Sequence, residues 1–305
     1  RRRERARGLG MFGRGRPHKG GAGEPLVAEA EDGGGGGAPY MSFVAFMWRF
    51  NDILATGSIL GEVTGPFTIR QCINLHKLGV APVYLALIYC FGGDLSLSQK
   101  WGPAAAVLLA CHSSYGFFWV YKDIWFPDSG WQLAQNALGF VSIFCWPLGA
   151  YYLPMFCLVS RKCPLGYFGE GDEPWILATG LWIYLIGFFY HFCGDISKDV
   201  QLKHQRPREL ITSGMMAHSR NPNYFGEVFN YLGLAVLSTS WFCIPVFVAV
   251  WVQVFLPNML GKEVSMARYE EWPAWRAKTG FLFPWLPSFL SDFGRNALSR
   301  LPRVD

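Results

Sequence analysis

The sequence predicts an all-α fold: a polytopic membrane helical bundle with six or seven transmembrane helices. Three observations lead there. Hydrophobic residues make up 51 % of the 305 residues and charged residues 16 %, where soluble domains carry about a quarter charged. Aromatic residues reach 17 %, with 13 Trp and 25 Phe, a composition suited to lipid-facing surfaces and interfacial belts. Charge is also absent from several runs near the length of roughly 20 apolar residues that crosses a bilayer core.

The first span falls in 41–70, where apolar clusters carry Arg49, Asp52 and Glu62. It reads either as a polar-studded membrane helix or as an interfacial one. Residues 78–93 form a short apolar run ending at Gly92–Gly93. The segments 101–121, 131–159 and 174–193 are charge-free, and so is the whole of 228–261. That last run is too long for one span, and Ser238, Thr239 and Ser240 mark a turn that makes it a helical hairpin. Backbone amides in lipid must be satisfied within the segment, so spans are helices, and the alternation of a barrel is missing. The segment 194–222 reads as a polar loop with Lys198, Lys203, Arg206, Arg208 and Arg220. It and the polar C-terminal segment flank the hairpin on one side, cytoplasmic by the positive-inside rule.

Residues 1–40 hold eight Lys/Arg and five Asp/Glu, a net of +3 out of the chain's +5. This Gly-rich arm, closed by Gly33–Gly37, has the composition of a disordered tail. Its acids weaken a targeting-peptide reading, and with only Phe12 and Tyr40 as aromatics to stack on bases it argues against nucleic-acid binding. The eight cysteines lack C-x-x-C spacing and lie mostly in apolar runs. They read as buried apolar residues, and no metal site is proposed. The expected division is a tail (1–40), N-terminal helices on the substrate side (41–172), a cofactor-binding domain (173–290) and a C-terminal tail (291–305).

Chemistry concentrates in 191–286. In "SRNPNYFGE" (219–227), Asn221 can cap a helix whose first turn holds Pro222. Asn223 and Glu227, four apart, then share a face, which Asn230 and Tyr231 extend. Polar groups on a membrane helix point to an interior or a cavity. The competing reading is a helix end at the interface, which accounts for Asn223 better than for the deeper Glu227. His191, Asp195 and Asp199 form a second stripe at intervals of four; as a bland alternative they are a solvated helix end. Carboxylates and amides suit the hydroxyls and carboxamide of a nucleotide, and the neighbouring Lys/Arg, Arg220 among them, suit its phosphates.

The motif "RNPNYFGE", the apolar hairpin after it and "RYEEWPAWRAKTGFLFPWLP" (268–287) together resemble the C-terminal domain of steroid 5-alpha reductase-like membrane proteins. The same helical superfamily includes sterol reductases and isoprenylcysteine methyltransferases. The resemblance covers the last third of the chain. It implies an NADPH pocket in which Asn223 and Glu227 contact the cofactor and Tyr224 takes the motif's aromatic place. Asp199 matches an acid before the basic loop, and Asp195 stands where the reductases have an amide. The His and Tyr that reductases carry after the hairpin have no match among Gly261, Lys262, Glu263 and Ser265. In the N-terminal half the best candidate is "CHSSYGFFWVYKDIWFPD" (111–128), with Tyr115 as the carbonyl-polarising tyrosine and His112 on the same face. Interfacial aromatics beside a Lys–Asp pair are the other reading of that stretch. Glu62 has no supporting spacing to Tyr115.

The resemblance thus implies an oxidoreductase acting on CH–CH bonds with NADPH, reducing a conjugated C=C in a steroid-like or other lipid enone. The substrate would enter from the membrane, with endoplasmic reticulum as the default location and another organelle membrane open. No protein partner is implied. The rival is a methyltransferase using S-adenosylmethionine on a prenylcysteine or phospholipid, whose motif tends to lack the Gly226–Glu227 pair. A non-catalytic lipid-binding membrane protein is the third reading.

Overall fold

A computed structural model describes residues 40–58, 65–94, 102–204 and 209–298. The basic tail, Glu62, Arg206 and Arg208 lie outside the described residues. The architecture is all-α, relieved by one two-stranded ribbon. In chain order come α1 (Tyr40–Thr56), β1 (Phe67–Thr68), α2 (Ile69–Leu78), α3 (Val80–Phe91), α4 (Pro103–Trp125), β2 (Ala134–Gln135), α5 (Ala137–Cys145) and α6 (Leu153–Ser160). They are followed by α7 (Pro174–His204), α8 (Pro222–Leu237), α9 (Cys243–Val250), α10 (Leu256–Met266), α11 (Trp272–Lys278) and α12 (Leu286–Leu298).

Among the described residues, four helical segments are long and apolar enough to cross a membrane: Pro103–Trp125, Ala137–Ser160, Pro174–His204 and Cys243–Met266. The α2–α3 pair, bent by 49°, makes a fifth if it counts as one span. The chain is an integral membrane protein. The expected six or seven spans are reached only by adding α1 and α8, of 17 and 16 residues, both shorter than the roughly 20 of a plain span. One expectation is corrected: residues 194–204 are not loop but the last three turns of α7. They carry the charged end of a 31-residue helix out of its apolar part.

The chain divides into two compact units. The first comprises the described residues up to Leu177 together with Leu234–Lys262, and the second Ala178–Gly233 with the chain from Glu263 onward. The division falls within α8, so the part of the last hairpin from Leu234 onward belongs to the first unit and the part up to Gly233 to the second.

In the first unit, Thr68 opens α2 with a reciprocal cap. Its Oγ accepts from Gln71 N at 3.2 Å, and Gln71 Oε1 accepts from Thr68 N at 2.8 Å, so two orphan donors are satisfied at once. Phe67–Thr68 pairs antiparallel with Ala134–Gln135. Between α9 and α10, Trp251–Phe255 forms a π turn. Two residues on, Pro257 has no N–H to give the Gln253 carbonyl. Asn51 of α1 supplies it instead, Nδ2 to O at 2.8 Å, and Trp146 Nε1 donates to Gln253 Oε1 at 2.7 Å. The predicted turn at 238–240 is present and fully buried, with Thr239 at φ 55°.

In the second unit, α7 and α8 run antiparallel at glycine-limited distance. Gly180, Gly187 and Gly194 recur every seven residues on α7, and Gly226 and Gly233 do so on α8. A Cβ added at Gly226 would meet His191 N at 2.2 Å, and one at Gly187 would meet Asn230 N at 2.4 Å. One at Gly233 would meet Gly180 O at 2.7 Å. Small residues let membrane helices approach backbone to backbone where dispersion drives pairing.

Candidate functional site

The glycine contacts determine which side chains meet. Gly194 faces the Asn223 backbone and Gly226 faces His191, so the predicted stripes on α7 and α8 come together within the second unit. His191, 2 % exposed, lies 3.3 Å from the Asn223 carbonyl through Nδ1 and 4.0 Å from Asp195 through Nε2. One turn further, Asp199 pairs with Lys203 at 2.5 Å. On α8, Asn223, Tyr224 and Glu227 are half-buried and Asn230 is fully buried. The Asn223 Oδ1 and both amide atoms of Asn230 have no hydrogen-bond partner among the described residues. A buried polar atom left so costs about 1–3 kcal/mol.

Arg220 takes a different place from the phosphate-facing one its charge suggested. Its side chain is turned inward, with Nε donating to Glu263 Oε1 at 2.8 Å and Nη1 to the Thr279 carbonyl at 2.5 Å. Around it, Ser219 Oγ donates to Leu282 O at 2.8 Å and Asn221 Nδ2 to Phe281 O at 2.9 Å. The motif's first three residues thus fasten the start of α8 to the segment 263–282. Asn221 does this through its side chain, in place of the helix cap its position suggested. Trp275, from the 268–287 segment, donates to Met216 O at 3.0 Å and packs with Trp272 against Leu210 and Met216.

Tyr115 and His112 belong to the first unit, where both are fully buried on α4. His112 Nδ1 lies 2.6 Å from the Tyr84 hydroxyl. Gly116 lets α4 close on α2, since an added Cβ would stand 2.2 Å from Lys77 O. That approach seats Lys77, 3 % exposed, over the rings of Tyr115 at 4.4 Å and Trp119 at 5.0 Å. A cation in such a position gains from the ring quadrupole, and a buried ionisable residue in a membrane domain marks function by default. Asp123 is held by Arg70 at 2.5 Å and Asn74 at 2.8 Å, while Lys122 lies over Trp119 at 4.4 Å.

Sequence reasoning passed over Lys77, His76 and Tyr84. Its apolar run began at residue 78, so Lys77 and His76 looked like flanking residues. The spacing Val80, Tyr84, Ile88 was the available signal for Tyr84, one buried face at intervals of four. Among the described residues, no three His, Cys, Asp or Glu side chains gather as a metal ion would require.

Residues 170–279 match the model of a family described as a protein of unknown function, DUF1295. The match runs from just before α7 through α11 and so includes both polar stripes and the Arg220 junction. No curated protein and no solved structure matches the chain.

Proposed function

We propose that the protein is a membrane-embedded NADPH-dependent reductase of a conjugated C=C bond in a steroid-like or other lipid enone. The observation that carries this is the polar face of α8, above all Asn230, which is fully buried with neither amide atom hydrogen-bonded among the described residues. An amide of that kind fits a ligand that offers donors and acceptors together, as a carboxamide and ribose hydroxyls do. Asn223, whose Oδ1 is in the same condition, and Glu227, one turn away, extend the fit. Asp195 and Asp199 add carboxylate acceptors on α7. The resemblance of 219–227 and 268–287 to steroid 5-alpha reductase-like proteins supports the same assignment.

When bound, NADPH supplies the hydride. The protein's own residues hold and polarise. Asn223, Asn230 and Glu227 orient the cofactor's polar edges, and Arg220 fixes the end of the helix that bears them. Tyr115 is the proposed donor to the substrate carbonyl oxygen, where negative charge develops; such preorganised donors supply a large share of catalysis. His112, joined to Tyr84, braces the same face of α4. An apolar substrate reaches the protein from the bilayer.

The test is thermal stabilisation of the detergent-solubilised protein by NADPH and by S-adenosylmethionine. A ligand at 100 times its Kd stabilises by about 2.7 kcal/mol. NADPH is expected to raise Tm, with Asn223→Ala and Glu227→Ala losing the shift. Stabilisation by S-adenosylmethionine alone would overturn the reading in favour of a methyltransferase, and silence from both ligands in favour of a non-catalytic lipid-binding protein.

A further inference from the structure

An open groove of about 490 Å³ runs along α2 in the first unit, with Thr68, Arg70, Gln71 and Gln132 towards one end, Asn74 between, and Leu75 and Leu78 towards the other. At the polar end the groups left over are mainly donors. Thr68 Oγ and Gln71 Oε1 are used in the reciprocal cap, which leaves the Gln71 amide N–H groups. Arg70 has five N–H donors. Nε goes to Asp123 Oδ2 at 2.5 Å and Nη2 to Asp123 O at 3.1 Å, and the rest have no partner among the described residues. Asp123 itself is 4 % exposed and also takes Asn74 Nδ2 at 2.8 Å, so the acid backs the guanidinium from inside. Asn74 Oδ1, buried without a partner among the described residues, and the Gln132 carbonyl oxygen are the acceptors there; the N–H donors around the arginine outnumber them and suit an acceptor-rich anion, above all a phosphate.

The other end points to what carries that phosphate. Leu75 and Leu78 are each 55 % exposed. Thr68 and Leu78 lie ten positions apart, about 15 Å along the helix at 1.5 Å per residue. Beyond Leu78 the chain bends by 49° into the apolar α3, with which α2 forms one candidate span. On the groove face of α2, which excludes the buried His76 and Lys77, polarity therefore falls in the direction in which the chain enters hydrocarbon. We propose that this groove binds a membrane glycerophospholipid, its phosphodiester on Arg70, Gln71 and Gln132 and an acyl chain over Leu75 and Leu78. The site uses none of the residues assigned to the reductase reading and stands or falls apart from it.

The experiment is native mass spectrometry of the full chain released from phospholipid nanodiscs, reading the occupancy of tightly held phospholipid. Gln71→Glu keeps the acceptor that caps α2 and replaces the donor with a negative charge. Leu78→Asp blocks the apolar end at an exposed position that the core does not use. Leu85→Asp, 44 % exposed on α3 and outside the groove, controls for an added charge on an apolar surface. Wild type and Leu85→Asp are expected to retain one phospholipid, and both groove variants to lose at least four-fifths of that occupancy. Retention of more than a fifth in either groove variant overturns the proposal. So does complete displacement of the lipid from wild type by inorganic phosphate, which would make the groove a site for the free anion.

Discussion

Replacing Gly226 by alanine tests the α7–α8 contact on which the candidate site depends. The new Cβ would stand 2.2 Å from His191 N and 2.6 Å from both Gly187 O and His191 Cα. All three are backbone atoms and cannot rotate aside. Ordinary contact begins at 3.4 Å, so α8 must retreat by about 1 Å or α7 must bend. Overpacking of this kind costs about 1–3 kcal/mol, and contact with rigid backbone places it at the upper end. Alanine recovers about 1 kcal/mol of helix propensity over glycine. The net expectation is a loss of about 2 kcal/mol, or a fall in Tm of about 8–16 °C for a unit of this size. Thermal unfolding in detergent measures it, with Gly93→Ala, whose Cβ meets nothing within 4 Å, as the reference. Gly187→Ala should behave similarly and Gly194→Ala, with a nearest atom at 3.0 Å, more mildly. A Gly226→Ala protein as stable as Gly93→Ala would refute the close-packed helix pair.

Asn230→Leu removes an amide whose buried atoms lack partners and should stabilise the ligand-free protein by about 1–2 kcal/mol. The same change should abolish any stabilisation by NADPH, so a melt with and without the cofactor reads both effects. Arg220→Met leaves Glu263 without its partner and should destabilise the second unit by about 3–5 kcal/mol, seen as early proteolysis near the 263–282 segment. Tyr115→Phe should lower kcat on an enone about 10²- to 10³-fold with the NADPH-induced Tm shift unchanged; an unaltered kcat would remove Tyr115 from the mechanism. Tyr167, in the loop before α7, donates to Cys157 O at 2.9 Å, and burial pushes its hydroxyl up from 10 to about 12. The folded protein holds that proton after the unfolded chain has released it, so this contribution is intact below pH 10 and lost between pH 10 and 12. Alkaline titration of Tyr167→Phe should lack that part of the decline.

The hydropathy of the chain made the membrane helices, the turn at 238–240 and the i, i+4 stripes on α7 and α8 legible, because each rests on local spacing. The role of Arg220 was not legible. Its sign of charge suited a phosphate, but its partners Glu263 and Thr279 lie 43 and 59 residues away, and side-chain direction is decided by such long-range contacts. Lys77 was missed for a related reason. Only Gly116 on another helix reveals that α2 is pressed against α4 and that the lysine is enclosed. The glycines of α7 and α8 were visible as letters, but their seven-residue spacing acquires meaning only when the two helices are known to be neighbours.

That spacing has a consequence for how the pair chooses its alignment. A slide of α8 by one repeat, seven residues or about 10.5 Å, would again set two glycines against the opposing backbone. The glycine ladder therefore fixes the face of each helix but leaves its longitudinal register degenerate. The choice falls to what does not repeat: His191 against the Asn223 carbonyl, and the Ser219–Arg220–Asn221 fastening that holds the first turn of α8 to 263–282. In the shifted alignment His191 would move from the level of Asn223 to that of Asn230. The residues that open the motif thus act as an index mark, and the amide deeper in the helix is kept from the histidine by their hold.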